Sequence, residues 1–126
     1  MSKRDELHQL LLYQKAEQIF KITQGLVEIV PTENEFLQAT SVRFMLENAM
    51  IIPAKIAGAQ AVELYDLKIE NATIIRKAAR ELSVYAGSLR FEKDNIEKDY
   101  IQLLRKEIDE FRLLFIGWVA GFDEWN

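Results

Sequence analysis

The chain has 126 residues, 16 Lys+Arg against 20 Asp+Glu, 49% apolar residues and a net charge of -4, which is the length of one globular domain and neither a fibrous nor a disordered composition. Cysteine is absent and His8 is the single histidine, so disulfides, thiolate metal sites and most histidine-based hydrolytic mechanisms lack the residues they need. The acidic balance, with a pI near 5.1, excludes a surface that is basic all round but leaves room for a local basic patch.

Only Pro31, Pro53 and five glycines punctuate the chain, too few turn formers for a sandwich or barrel. Leu12, Ala16, Ile19, Thr23, Leu26 and Val30 follow one another by alternating steps of four and three, widened by Phe20 and Val27. That spacing predicts a first helix from about Arg4 to Ile29. It stops at Pro31, and Thr32 with Glu35 three residues on is a capping-box signature for a second helix.

In the second helix Val42, Met45, Ala49, Ile52, Ile56 and Ala59 carry one apolar stripe straight through Pro53. Proline inside a helix removes one N–H and crowds the carbonyl of Ala49, at a cost of about 3 kcal/mol, so the expectation is a kink and not a stop. The third helix places Tyr65, Ala72, Ile75, Ala79, Leu82, Ala86 and Leu89 on one heptad whose only polar member is Lys68. Ala72, Ala78, Ala79 and Ala86 on or beside that stripe would admit a close neighbour.

A polar turn at Asp94-Asn95 offers an N-cap to a fourth helix. Its stripe, Ile101, Leu104, Ile108, Phe111, Phe115, Trp118 and Phe122, is unbroken. Four helices of about 25 residues with short connections predict an all-α, antiparallel up-down-up-down four-helix bundle, kinked in its second helix at Pro53 and forming a single domain over residues 1–126.

The apolar run Leu113 to Phe122 has ten residues, about half of the roughly 20 that cross a bilayer. No membrane partner is expected from it. The N-terminus runs into an amphipathic segment and lacks an apolar signal core, so the expected location is cytoplasmic. Leu113, Leu114, Ile116, Trp118, Val119 and Phe122 surround the last turns of the fourth helix on every side, more apolar surface than three companion helices can cover. Together with Trp125 they are the expected homo-oligomer interface.

No catalytic residue, metal set or cofactor site emerges. A di-metal bundle site needs two Glu-x-x-His pairs, and a single histidine forbids it. Helical ribonucleases with Arg, four to six residues and then His are not matched by Arg4 and His8, three residues apart. A Gly-rich phosphate loop and a nucleophile elbow are both missing. Glu107, Asp109 and Glu110 among Arg105, Lys106 and Arg112 read as a solvated helix face. The candidate anion or nucleic-acid contact is Arg76, Lys77 and Arg80, where Arg76 and Arg80 share a face at i, i+4 without an acid between them.

Two strings carry a family resemblance. Tyr13-Gln14-Lys15-Ala16 followed by Ile19-Phe20-Lys21-Ile22-Thr23, and above all Ala49-Met50-Ile51-Ile52-Pro53-Ala54-Lys55-Ile56-Ala57, resemble the small four-helix-bundle proteins encoded in bacterial 23S rRNA intervening sequences. Pro31 falls where that family breaks before its second helix. Relatives in that family include the accessory variability determinants of diversity-generating retroelements, basic pentamers that associate with a reverse transcriptase and nucleic acid. The resemblance implies a homo-oligomer, a pentamer, without catalytic residues. On this reading the chain is a non-enzymatic binding or scaffold module, with RNA, DNA or a nucleic-acid-processing protein as its first expected partner. A protein–protein adaptor without a nucleic-acid role is the second expectation, and a third, enzymatic one rests only on a small-ligand pocket between helices. The first predicts that assembly gathers Arg76, Lys77 and Arg80, or Lys15 and Lys21, into one positive surface; the second predicts that these cations are paired with acids.

Overall fold

The computed structural model describes residues 2–92 and 96–126, which are helical and contain no strand. In chain order, α1 is Lys3–Gln9, α2 Leu11–Glu28, α3 Glu35–Leu37, α4 Arg43–Ala61, α5 Tyr65–Ser88 and α6 Lys98–Ala120. A π turn, Gln38–Val42, joins α3 to α4, and a 3-10 turn, Leu89–Phe91, follows α5.

The expected first helix is two helices. Leu10 breaks it with an extended backbone, ψ 120°, although no glycine or proline is nearby. The carbonyls freed by the break are taken up locally: Leu10 N donates to Leu7 O at 3.1 Å, and the Gln14 side-chain amide donates to His8 O at 2.8 Å. At its other end α1 has a reciprocal cap, Asp5 N donating to Ser2 Oγ and Ser2 N to the Asp5 carboxylate,. The bend allows α1 to touch α4 as well as α2, and Leu7 and Leu10 pack against the core.

The start of the second helical stretch also differs from the expectation. Asn34, not Thr32, is the cap: its side chain accepts from Leu37 N at 3.0 Å, while the Thr32 hydroxyl turns to Glu33. The Gln38 side-chain amide, donating to Val30 O and Pro31 O at 3.3 Å, holds the preceding turn in place. The π turn that follows has a visible cause. Leu37 and Val42 are both buried but five residues apart, a step that an α-helix cannot keep on one face and a wider turn can. From Met45 onward the spacing returns to threes and fours, and α4 continues through Pro53 with Ala49, Ile52 and Ile56 all buried.

α2 packs on α4 and on α6, and α5 packs on the same two. The predicted stripes form the shared core: Ile19 and Leu26 from α2, Met45, Ile52 and Ile56 from α4, Ile75 and Leu82 from α5, Ile101 and Phe111 from α6. Each such side chain contributes about 1.5 to 3 kcal/mol by leaving water. Ala72, Ala78, Ala79 and Ala86 are all buried on α5, and Gly58 of α4 lies against Asn71 of α5. Lys68, the polar member of the α5 heptad, donates to Ala59 O at 2.7 Å and so satisfies one of the terminal carbonyls of α4,. Between α2 and α6 the close approach is at Gly25, where a Cβ would overlap the Tyr100 hydroxyl. The expected cap at Asp94-Asn95 lies outside the described residues.

Candidate functional site

The heptad that buries Ala72, Ile75, Ala79 and Leu82 turns Arg76 and Arg80, one helical turn apart, toward the edge that α5 shares with α6. Opposite them α6 buries Phe111 and presents Arg112, Phe115, Ile116 and Val119. The result is a groove of about 770 Å³. Its floor is apolar, built from Ala72, Ala79, Phe111, Phe115, Ile116 and Val119, and its polar rim is Thr73 with Arg76, Arg80 and Arg112. The alanines explain why there is a groove at all, since a larger side chain at 72 or 79 would fill it.

Electrostatically the rim is one-sided. No carboxylate lines the groove. Among the described residues Arg76 and Arg80 form no ion pair within 4.0 Å, and Arg112 only reaches Asp109 at that limit, both side chains being largely exposed. Like charges at i, i+4 oppose a helix by a few tenths of a kcal/mol, roughly the reverse of an ion pair at the same spacing. Lys77, the third cation of the predicted set, faces an adjacent shallower hollow bounded by Arg76, Arg80, Glu81, Val84 and Tyr85 and approaches Glu81 at 3.9 Å. The structure therefore keeps Arg76 and Arg80 together, directs Lys77 elsewhere and adds Arg112. In the sequence Arg112 reads as part of a solvated face, because its place on the same groove as Arg76 and Arg80 depends on how α5 and α6 align, which no local pattern records.

That solvated face needs a further correction. Glu107 is 7% exposed and faces α2, where Lys15 donates to it at 2.7 Å and to Glu110 at 2.9 Å. Hydrogen bonds to Glu107 and then Glu110 hold the Lys15 ammonium above its ordinary value of 10.5. The same hydrogen bond from Lys15 holds the Glu110 carboxyl below its ordinary value of 4.5. Lys15 is thus withdrawn from any positive surface, and Lys21 stands exposed without it.

The predicted oligomer patch divides in two. Leu113, Ile116 and Trp125 are exposed, at 73%, 64% and 94%, whereas Leu114, Trp118, Val119 and Phe122 are half-buried. Trp118 packs on Phe115 and Phe122 with ring centroids 6.0 and 4.8 Å apart, and its Nε1 donates to Gln60 Oε1 at 3.0 Å. The segment after α6 folds back on the α4–α5 connection: Tyr65 N donates to Asn126 O, and Asn126 Nδ2 donates to Glu63 O at 3.0 Å. Lys68 sits 5.6 Å above the Phe122 ring. The chain covers part of its own helix end by this return, which composition alone does not reveal.

Among the described residues no group of three or more His, Cys, Asp or Glu is placed to hold a metal ion, and His8 is exposed with its ring edge-on to Tyr13. None of the described helices is long and apolar enough to cross a membrane. Comparison with family models, with curated proteins and with solved structures returned no match to this chain.

Proposed function

We propose that the chain is a non-enzymatic binding or scaffold module: an up-down-up-down four-helix bundle that self-associates and receives an anionic partner along the α5–α6 groove. A nucleic acid or a ribonucleoprotein is the first such partner. The observation that carries this reading is the placing of Arg76, Arg80 and Arg112 on one groove that no carboxylate lines, because guanidinium groups recognise phosphates in bidentate fashion. Self-association, with a pentamer as the expected count, is supported by the exposure of Leu113, Ile116 and Trp125, since apolar patches of this kind are uncommon on monomers.

The test is the salt dependence of binding to a fluorescent RNA and a DNA duplex of arbitrary sequence. If three arginines per protomer each displace one counterion, the slope of log K against log salt on a duplex is about -2.7 per protomer, or about 40-fold in affinity for a fourfold rise in salt. Arg76→Gln with Arg80→Gln and Arg112→Gln removes that contribution. Equal slopes for this variant and the parent protein would reject the groove as the nucleic-acid contact. The pairing of Lys15 with Glu107 and Glu110 favours a second reading, a protein adaptor, for the α2–α6 side of the molecule, because those charges are already matched internally.

A further inference from the structure

Two parts of this molecule stand open to solvent and match each other in chemistry, although Asp123 Oδ1 accepts from Trp125 N at 3.0 Å and Arg112 approaches Asp109 at 4.0 Å. One is the α5–α6 groove, apolar on its floor and bordered by Arg76, Arg80 and Arg112. The other is the segment after α6, where Asp123, Glu124 and Trp125 are all exposed. Trp125, at 94%, is a full indole in water. Its own groove does not receive it, because Asn126 ties this segment to Glu63 and Tyr65.

We propose that the Asp123–Trp125 segment of one copy docks in the α5–α6 groove of a second copy, with the indole on the floor and the two carboxylates against the arginine rim. The proposal rests on the self-association reading above and names the surfaces that mate. Charge decides the occupant: three guanidinium groups meet two carboxylates, each able to accept a bidentate pair. Shape agrees, since a groove of about 770 Å³ is of the size that encloses a ring system and short flanking chain. A phosphate backbone would satisfy the rim but leave the floor in water, whereas an acidic segment with tryptophan satisfies both. Tryptophan and arginine are also the residues that most often dominate interface energies. Docking covers Ile116, which lines the groove and is otherwise 64% exposed.

The contact joins two different surfaces, so it is heterologous, and repetition closes a ring or extends a filament. A seated segment neutralises the rim, and an anionic partner then meets the groove only on a protomer whose groove is empty.

The experiment is sedimentation velocity on the full chain and on three variants: Trp125→Ala; Asp123→Asn with Glu124→Gln; and Arg76→Gln with Arg80→Gln and Arg112→Gln. All six positions are exposed, and unchanged far-UV circular dichroism verifies that each variant folds. The parent protein is expected to assemble, and each variant to weaken assembly by about tenfold or more. Mixing Trp125→Ala with the triple arginine variant should restore a two-chain species and nothing larger, because each retains the half that the other lacks. Variants that assemble like the parent protein overturn the segment-in-groove contact and leave self-association standing. A parent protein that stays monomeric at every concentration overturns both. If the arginine variant loses RNA binding while its assembly is unchanged, the groove belongs to the nucleic acid and the proposal is refuted.

Discussion

Replacing Lys15 by Met tests the internal charge account on which the basic surface was assigned. The ammonium makes two charge-assisted bonds, to Glu107 at 2.7 Å and to Glu110 at 2.9 Å. The Glu110 side chain is 44% exposed, so water takes over its bond and that pair contributes little. Glu107 is different, with its side chain 10% exposed; removing the one cation paired with it among the described residues leaves a nearly buried carboxylate without compensation, at about 1.5 to 3 kcal/mol. At about 3 to 4 °C per kcal/mol for a domain of this size, the melting temperature at neutral pH should fall by about 5 to 12 °C. Lys15→Met with Glu107→Gln should recover most of the loss, because the amide carries no charge to solvate. The pH dependence has a definite sign. Glu110 is held below its ordinary value, so its contribution is present above the unfolded carboxylate range and fades as pH falls through the lowered value. Lys15 is held above 10.5, so its contribution persists below the unfolded lysine range and fades as pH rises past the raised value. The part of the gap that comes from the Lys15–Glu110 pair should therefore fade at acid pH, and the whole Lys15 contribution should fade at strongly alkaline pH. Urea denaturation across pH reads it directly. A Lys15→Met variant as stable as the parent at neutral pH, or a double variant no better than the single one, would refute the argument.

Gly25→Ala should destabilise the fold, since the new Cβ meets the Tyr100 hydroxyl and the ring must leave its seat; in a Tyr100→Ala background the same change should instead stabilise by up to about 1 kcal/mol through helix propensity, and a thermal-melt double-mutant cycle without that reversal of sign would show that the two residues do not touch. Asn34→Ala removes the side-chain cap of the second helical stretch and should cost about 1 kcal/mol, while Thr32→Ala should stay within about 0.5 kcal/mol; urea midpoints separate the two, and the reverse order would return the cap to Thr32. Trp118→Phe keeps the ring packing on Phe115 and Phe122 but loses the bond to Gln60, which should lower stability by about 1 kcal/mol. A Gln60→Ala variant should lose no further stability in that background, and an additive loss would place the value of Gln60 elsewhere.

The parts of the fold that were legible in the sequence are those governed by neighbours three and four residues away. The stripes of α2, α4, α5 and α6 were readable because burial repeats at the helical period, and Pro53 did not hide its stripe because the flanking Ala49, Ile52 and Ile56 kept step. Leu10 was not readable, since its extended backbone serves the contact of α1 with α4 and carries no local breaker. The π turn left a trace, the five-residue step from Leu37 to Val42, which a search confined to threes and fours passes over.

For the candidate site the dividing line is physical and falls between charges and partners. Sequence shows where the cations are, but whether one faces outward as a binding group depends on an acid brought to it from another helix. Lys15 and Arg76 look alike in one dimension; one meets Glu107 from 92 residues away, and the other faces an apolar groove without an acid. Arg112 approaches Asp109 in its own helix at 4.0 Å, and the alignment of α5 and α6 also places it on the groove that Arg76 and Arg80 line. The basic surface of an acidic chain is thus what remains after internal pairing has been subtracted. On the α5–α6 groove it is Arg76 and Arg80, joined by an Arg112 whose approach to Asp109 is at the 4.0 Å limit, and the small alanines of α5 leave the space between the helices open.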